Sequence, residues 1–429
     1  MLSNSTNVEN RETLRSIGTI RIFVVNMKLF KTVLLLGVLA SIHGLVPLSS
    51  PKKIKKVRAA ASICRKGFLV GAAGAAVVGT ASAAGAAVAI GSQAANNNKN
   101  DSYKIYEPAP DSLSGQVVLI TGASTGLGLE SAKRLAAAGA TVVMTSRTPI
   151  KGDKAVQSVK EYLGGKGMPD KESQVYSLTL DLDDLDSVKS FPTKFKELGL
   201  KKIDVLMNNA GVMAIPDRQI TKNGFERTFQ SNHLGHFALT AGLFPYLSRE
   251  KATVINVSSA AYQFANKGMQ LDNLNGETEY GAWSSYGLSK LSNIMFTQEL
   301  QRRADEAGDS WLTAVTLHPG GVSTDLGRYL VGEEKWNDLK TKGPSFLESV
   351  ALNSLSVFTK TVPEGASTQV FLASGAEGSL KKGGYYVDCK ENNLQSFATD
   401  KSMASALWKK SEELAGIKFE VPRAVTPSP

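Results

Sequence analysis

The sequence predicts an α/β domain built on a doubly wound parallel sheet. From residue 116 onwards, short apolar segments rich in β-branched residues alternate with longer helical segments. A glycine-rich turn joins the first predicted strand to the first predicted helix, and polar residues follow several of the other strands. Alternating strands and helices give a parallel sheet with helices on both faces, as in Rossmann-type domains, and such sheets bind ligands beyond the carboxyl ends of their strands.

The elements follow in chain order. Strands are predicted at 116–121, 141–145, 175–180, 205–208, 253–258 and 312–318. Helices are predicted at 129–138, 184–198, 225–247, 284–307 and 402–415. We expect a leader at 1–100, a polar linker at 101–114, the folded α/β domain at 115–420 and a disordered tail at 421–429.

Positive charge is confined to the start of the chain. Residues 1–100 hold 13 of the 49 Lys and Arg residues and 2 of the 39 Asp and Glu residues, so they carry +11 and the rest carries −1. A nearly neutral domain gives no support to nucleic-acid binding. The chain has 2 Cys and 4 His without metal-ligand spacing, so neither a disulfide framework nor a metal site is expected, and we interpret His233 and His236 as packing or loop residues.

The leader has three parts. An apolar segment at about 30–46 follows lysines, as in a signal peptide. The stretch 51–67 is basic and free of acidic residues, as in an organelle transit segment, and 68–91 is a 24-residue uncharged, Ala-rich segment long enough to span a bilayer. We therefore expect membrane association through this part of the chain. The order of these three segments favours location in a plastid with extra bounding membranes. An anchor in the endoplasmic reticulum membrane is the alternative.

The glycine-rich turn has the sequence TGASTGLG (121–128). Glycines let the backbone approach a phosphate closely, and the N-terminus of the next helix presents free N–H groups to a pyrophosphate. The end of the second strand bears on the choice of cofactor. NAD-preferring sites have an acidic residue there, whereas this chain has Ser146 and Arg147, which can pair with a 2′-phosphate. NADP(H) is the predicted cofactor.

Six motifs occur in one order along the chain. They are TGASTGLG (121–128), NNAG (208–211), SNHLGHF (231–237), INVSSAA (255–261), YGLSK (286–290) and LHPGGVST (317–324). Together they resemble the short-chain dehydrogenase/reductase family over about residues 115–390. Tyr286 and Lys290 are four residues apart and share a helix face, so the ammonium is expected to lower the pKa of the phenol from its usual value of about 10.

The resemblance implies a role for each matching residue. Tyr286 would be the general acid/base, Lys290 would also hold the nicotinamide ribose, Ser259 would polarise the substrate oxygen, and Asn232 would support a proton-relay water. Asp181 and Leu182 would contact the adenine, and Asn209 with the adjoining Ala210 and Gly211 would lie beside the adenosine ribose. The pyrophosphate would be held by Gly122, Ser124, Thr125, Gly126, Leu127 and Gly128. The nicotinamide would be lined by Pro319, Gly320, Val322 and Thr324.

The stretch between Ser259 and Tyr286 favours one branch of the family. This stretch, with 232–240, 288–300, 364–375 and 383–391, resembles retinol dehydrogenases, and a dehydrogenase of the plastid import machinery is related. The implied substrate is a retinal-like, apocarotenoid or other lipid aldehyde or ketone. Apolar residues at 325–360, where the family places its substrate lid, fit such a substrate but fit a helix packed on the core equally well.

Two alternative functions remain open from the residues. Light-dependent protochlorophyllide reductases are more distant relatives, but Ser146 and Gly321 stand where those enzymes have Cys. An NADPH-sensing component of a plastid membrane complex is a second alternative, although such a protein would not need Tyr286. The resemblance also implies a homodimer formed through the helix that carries Tyr286 and the helix before it.

Overall fold

The computed structural model describes residues 104–265, 267–322, 360–375 and 380–421, and the side chain of Ser173 is outside this description. The chain divides into two units, Met1–Val70 and Gly71–Pro429, and all described residues belong to the second. Three predicted regions therefore lie outside the described residues: the leader, residues 325–359 of the lid and nearly all of the tail.

An eight-stranded sheet forms the centre of the described structure. Its spatial order is β3-β2-β1-β4-β5-β6-β7-β8, in which β1 to β7 are parallel and β8 pairs antiparallel with β7. The strands are β1 (Val117–Ile120), β2 (Thr141–Ser146), β3 (Val175–Thr179), β4 (Val205–Asn208), β5 (Ala252–Val257), β6 (Leu312–His318), β7 (Tyr385–Val387) and β8 (Lys390–Asn392). The first six follow the doubly wound order of dinucleotide-binding domains, so the predicted fold class is confirmed.

Helices cover both faces of the sheet. They are α1 (Gly126–Ala137), α2 (Pro149–Gly165), α3 (Leu185–Glu197), α4 (Arg227–Phe229), α5 (Gly235–Leu243), α6 (Ala282–Ala307), α7 (Val362–Ser374) and α8 (Lys401–Ala415). Within the described residues, no helix is both long enough and apolar enough to cross a bilayer.

Alternation along each strand divides the core into two clusters. Val117 and Leu119 of β1 pack with α3, α5, α6 and α8, whereas Val118 and Ile120 pack with α1, α2 and α7. Successive side chains of a strand point to opposite faces, and a sheet covered by helices on both faces must be apolar on both. This explains why the predicted strands are continuous apolar segments.

The predicted helix at 225–247 is interrupted in the structure. α4 begins after Glu226, whose carboxylate accepts hydrogen bonds from the backbone N–H groups of Thr228 and Phe229. A π-helical turn, Gln230–Leu234, joins α4 to α5, and a 3₁₀ turn, Phe244–Tyr246, follows α5. Proline in that last turn removes a backbone donor, which ends the α-helical hydrogen bonding. The sequence pattern also did not predict α2, α7, β7 or β8.

Candidate active site

The glycine-rich turn lies between β1 and α1 at the carboxyl edge of the sheet. Gly122 and Gly126 have φ values of +64° and +57°, in the left-handed region that favours glycine. A Cβ atom on Gly122 would lie 2.7 Å from the Cβ of Ala210, and one on Gly128 would lie 2.6 Å from the Asn209 amide nitrogen. α1 begins at Gly126, and the preceding Thr125 does not cap it with its side chain. The turn thus combines close packing with free helix N–H groups, which suits a phosphate.

Asn209 and Ala210 are held against this turn by Thr121. The Thr121 hydroxyl oxygen accepts hydrogen bonds from the backbone N–H groups of Asn209 at 2.9 Å and Ala210 at 3.0 Å. The Asn209 amide donates to the Thr121 carbonyl at 2.8 Å and its oxygen accepts from Gln369 of α7 at 2.8 Å. Asn209 therefore fixes the distance between the ends of β1 and β4.

The predicted adenosine residues lie at or just after the carboxyl ends of β2 and β3, which are adjacent strands. The buried Ser146 donates from its hydroxyl to the Thr148 carbonyl at 2.7 Å, and Arg147 is exposed to solvent at the same edge. Asp181 accepts a hydrogen bond from the Asp183 N–H at 3.0 Å, and Leu182 is buried. Arg147 thus lies outside the core and beyond the strand end, where a 2′-phosphate group could approach it.

Asn232 lies inside the π-helical turn and is fully buried. Its amide nitrogen donates to the Val212 carbonyl and to the Ser289 hydroxyl, both at 2.9 Å, while its oxygen accepts from the Val212 N–H at 2.8 Å. Ser289 in turn donates to the Tyr286 carbonyl at 2.7 Å. A Cβ atom on Gly211 would lie 2.9 Å from the Asn232 side-chain oxygen, so Gly211 leaves room for this link between β4 and α6.

Tyr286 and Lys290 lie one turn apart on α6 and are 6% and 4% exposed. The Lys290 ammonium is 5.6 Å from the centre of the Tyr286 ring and donates to the Val257 carbonyl at 3.1 Å. Burial lowers the pKa of Lys290 to about 8. The pKa of Tyr286 is raised to about 12, opposite to the lowering that we expected, because burial of the phenol outweighs the stabilising hydrogen bond with Ser259.

Two adjacent serines after β5 have different surroundings. The Ser258 hydroxyl is buried and donates to the Lys290 carbonyl at 2.8 Å, which ties β5 to α6. The Ser259 hydroxyl is half-buried, hydrogen-bonds with Tyr286, and accepts from the Ala261 N–H at 3.2 Å. Ser259 is thus the serine beside the phenol.

The predicted nicotinamide residues follow β6. Gly320 has a φ of +95°, and Val322 pairs with Lys360 in a short parallel bridge. A Cβ atom on Gly365 of α7 would lie 2.5 Å from Val322 and 3.0 Å from Leu127, so α7 packs directly against the predicted nicotinamide and pyrophosphate parts of the site. Thr324 lies outside the described residues.

Three residues of this site were not predicted: Thr121, Lys360 and Gln369. Thr121 lies in a recognised motif, and its place at the end of a strand was the signal that could have found it. Lys360 and Gln369 are far in the chain from their partners Pro319 and Asn209, and only the folded arrangement brings them together.

The two histidines of the SNHLGHF motif are buried in helical segments rather than in loops. Burial lowers the pKa of His233 to about 3 and that of His236 to about 4, so both rings are neutral near pH 7. Within the described ranges, no group of three or more His, Cys, Asp and Glu side chains could hold a metal ion.

A family model described as short chain dehydrogenase matches residues 116–335, which is more than half of the chain. The chain belongs to the short-chain dehydrogenase/reductase family. The resemblance seen in the motifs is therefore confirmed, and the short-chain dehydrogenase fold accounts for the order of the sheet.

Known members of the family include several relatives of this short-chain dehydrogenase. Retinol dehydrogenase 12 of Mus musculus is 36% identical over 309 residues, which cover 72% of this chain and 89% of the relative. Retinol dehydrogenase 14 of Mus musculus is 37% identical over 313 residues, covering 72% and 88%. The chloroplastic short-chain dehydrogenase TIC 32 A of Brassica napus is 33% identical over 298 residues, covering 68% and 85%. A crystal structure of an uncharacterized Mycobacterium paratuberculosis protein matches with a TM-score of 0.52 and 32% identity, covering 72% of this chain and 96% of that one.

Proposed function

We propose that this oxidoreductase uses NADP(H) to reduce or oxidise a carbonyl or alcohol carbon of a lipophilic substrate. Membership of the family establishes hydride transfer with a nicotinamide cofactor as the reaction class. The observation that carries the proposal is the buried phenol of Tyr286, with the Ser259 hydroxyl as its hydrogen-bond partner and the Lys290 ammonium one helical turn away. Retinol dehydrogenases among the relatives support a lipophilic substrate.

The residues around the glycine-rich turn fit a dinucleotide. Gly122 and Gly128 leave no room for a side chain, and α1 offers N–H groups that the preceding Thr125 side chain does not cap. Gly122 to Gly128 would hold the pyrophosphate, and Lys290 would hold the nicotinamide ribose. When bound, the nicotinamide supplies or accepts the hydride. The residues of this chain contribute binding, orientation and proton transfer.

Proton transfer to the substrate oxygen is assigned to Tyr286. In the reducing direction its hydroxyl donates a proton to the developing alkoxide, while Ser259 donates a hydrogen bond to the same oxygen and stabilises the charge. A protonated phenol is the form that reduction requires, and burial favours that form by raising the pKa of Tyr286 to about 12. Lys290 holds a positive charge near the phenolate that remains, and Asn232 keeps α6 fixed to Val212 through Ser289.

Tyr286→Phe tests the proton-transfer role. Oxidation of NADPH by the purified protein would be measured with retinal, apocarotenals, alkyl aldehydes and protochlorophyllide. We expect turnover with a lipid aldehyde, and we expect kcat to fall by about 10²- to 10⁴-fold in Tyr286→Phe while NADPH binding is nearly unchanged. Tyr280→Phe is the matched control. It makes the same substitution at a tyrosine whose hydroxyl donates to the Ile215 carbonyl.

The outcomes of this experiment separate the three functional classes. Full activity in Tyr286→Phe would contradict the acid/base assignment. Turnover of protochlorophyllide alone, and only under light, would move the function to pigment reduction. Tight NADPH binding without turnover of any of these substrates would favour an NADPH-sensing role in a membrane complex.

Arg147→Ala tests the choice of cofactor. Removing a charge-assisted partner of the 2′-phosphate should weaken NADPH binding by about 10- to 100-fold and leave NADH binding unchanged. Fluorescence titration with both cofactors measures this. Lys154→Ala, which removes another exposed cation from the nearby α2, should change neither affinity. Equal losses for NADPH and NADH would contradict the proposed contact with the 2′-phosphate.

We also propose a plastid location with membrane association through the segment 68–91. The chloroplastic relative and the order of the three leader segments support the plastid, and the length and lack of charge of 68–91 support membrane association. Residues 1–100 fused to a fluorescent protein should enter the plastid of an alga with multiply bounded plastids. Retention in the endoplasmic reticulum would favour the alternative location.

A homodimer through α6 and the helix before it stays a prediction. Trp408 of α8 packs against Phe237 of α5 and Phe296 of α6, so a dimer would have to use surfaces that α8 leaves uncovered. Light scattering on the purified protein would give its mass directly.

A further inference from the structure

A buried lysine contacts the chain segment that follows β6. Lys360 is 5% exposed, and its ammonium donates to the Pro319 carbonyl at 3.2 Å and forms an ion pair with Asp388. Its backbone N–H donates to the Gly321 carbonyl at 2.7 Å. One residue therefore binds the Pro319–Gly321 segment through both its main chain and its side chain.

The aliphatic part of Lys360 lies directly against Gly320. A Cβ atom on Gly320 would lie 2.8 Å from both Cδ and Cε of Lys360, and 3.0 Å from its Nζ. Gly320 also has a φ of +95°, so its backbone is in a conformation that other residues rarely adopt. The lysine side chain therefore fills the space beside Gly320 and limits how far the segment can move towards it.

Asp388 reaches Lys360 from a hairpin turn. Val387 pairs with His318 at the end of β6, so the next residue, Asp388, lies level with Pro319. Asp388 and Cys389 have φ values of 53° and 60° and form the two-residue turn between β7 and β8. Positive φ at both central residues is typical of the tight hairpin turns that match strand twist. The turn thus holds the carboxylate at a fixed position relative to β6.

The charges explain why this arrangement is fixed. A buried ammonium without a carboxylate partner is strongly destabilising, so Lys360 stays where Asp388 places it. The neighbouring His318 is buried, and burial together with the Lys360 charge lowers its pKa to about 4. His318 is therefore neutral near pH 7 and does not compete with Lys360 for the carboxylate.

We propose that Lys360, oriented by Asp388, is a positioning residue that sets the placement of the Pro319–Val322 segment along the nicotinamide. The inference rests on the proposed NADP(H) function, in which this segment lines the nicotinamide. The pyrophosphate and the 2′-phosphate are assigned to the glycine-rich turn and Arg147, on other strand ends. Loss of Lys360 should therefore misalign the nicotinamide ring and leave most of the cofactor's binding energy in place.

The test uses the full-length protein. It separates the effect of breaking the Lys360–Asp388 charge pair from the effect of losing the placement of the Pro319–Val322 segment. The variants are Lys360→Met, Asp388→Asn and the double variant, and Asn is tolerated at the positive φ of residue 388. Lys381→Met is the matched control, because it removes a lysine from an exposed ion pair with Glu391 at the same hairpin. For each protein we would measure NADPH affinity, the fluorescence of the bound nicotinamide, kcat and the unfolding midpoint.

We expect Asp388→Asn to lose the most stability, because it leaves the ammonium buried beside a neutral amide. The double variant should regain that stability, yet its kcat should stay about 10- to 100-fold low and the fluorescence of bound NADPH should stay altered, since Pro319 has lost its donor. NADPH affinity should be nearly unchanged throughout, and Lys381→Met should match the wild type.

Either of two results with an active enzyme would overturn the inference. Recovery of kcat together with stability in the double variant would make the pair purely structural, and a loss of NADPH affinity in proportion to kcat would make Lys360 a binding residue. If the wild type binds NADPH but turns over none of the substrates, unchanged fluorescence in the double variant overturns the inference by itself. If the wild type fails to bind NADPH, the proposed function fails first, and the two failures are thereby distinguished.

Discussion

Tyr286 and Lys290 lie on the same face of α6, and burial shifts their pKa values in opposite directions. The pKa of Tyr286 rises to about 12 and that of Lys290 falls to about 8. Both shifts have the same cause, since a buried site disfavours whichever form is charged. Each group therefore retains its neutral form over a wider pH range than in water, and the phenol keeps its proton under neutral conditions.

The lowered pKa of Lys290 predicts a pH dependence of stability for the protein without cofactor. Between pH 8 and 10.5, an unfolded chain keeps a proton on this lysine that the folded chain has released. The free energy of unfolding should therefore rise with pH through this window, and Lys290→Met should lack that contribution, on the order of 3 kcal/mol. Urea unfolding of both proteins at a series of pH values measures the difference.

The control for this measurement is an exposed lysine on another helix. Lys409→Met should follow the wild-type pH dependence, since that side chain is exposed on α8. If the free energies of unfolding of the wild type and Lys290→Met differ by a constant amount from pH 8 to 10.5, Lys290 is charged and solvated in the folded protein.

At the level of elements, α8 completes the core behind α6. Trp408 of α8 is 1% exposed, and its ring stacks on that of Phe419 with 4.7 Å between ring centres. The same indole meets the rings of Phe237 and Phe296 at 5.0 and 5.8 Å. The guanidinium of Arg303, on α6, lies 4.4 Å from its centre. α8 therefore supports the back of α6, the helix that carries Tyr286.

Trp408→Ala should lower the free energy of unfolding by about 3–5 kcal/mol, because it leaves a cavity among aromatic rings. Chemical denaturation followed by circular dichroism measures the change. Lys409→Ala, one residue along and exposed, should change the free energy of unfolding by less than about 0.5 kcal/mol. Equal stability of the two variants would show that α8 does not contribute to the core.

At the level of the whole molecule, the start of the described chain packs against helices from distant parts of the sequence. The Tyr106 N–H donates to the Ser367 hydroxyl at 3.1 Å, and its ring meets Phe371 edge-on at 5.4 Å. Glu107 forms an ion pair with the buried Arg134 of α1 at 3.3 Å. The residues that we predicted as a linker thus include contacts to both α1 and α7.

Tyr106→Ala in the full-length protein should lower the free energy of unfolding by about 1–3 kcal/mol, through loss of apolar burial and of the ring contact with Phe371. Urea unfolding measures this. Ile105→Ala is the matched control, because that side chain is 48% exposed and its loss should have little effect. If both variants unfold alike, the segment does not stabilise the domain.

Local patterns were sufficient where a feature depends on neighbours in the chain. The bounds of β4 and β6 match the predicted ranges, because apolar segments flanked by polar residues and glycine define them locally. The π-helical turn around Asn232 was not predicted, because hydrogen bonds to Val212 and Ser289, distant in the chain, accompany the change in helical geometry. α7 was missed although it begins with a capping box at Thr361 and Glu364, a local signal that was present.

The fold class, the family and the residues of the ordered motifs follow from the sequence alone, because strand periodicity, glycine turns and helix spacing are local properties. How these residues act on one another depends on the folded chain. Burial, which no local pattern measures, raises the pKa of Tyr286 where its neighbour Lys290 had predicted a lowering. Packing across the end of the sheet brings Lys360 and Asp388 to Pro319. The register of β6 and β7 places Asp388 level with Pro319, and Lys360 contacts both residues.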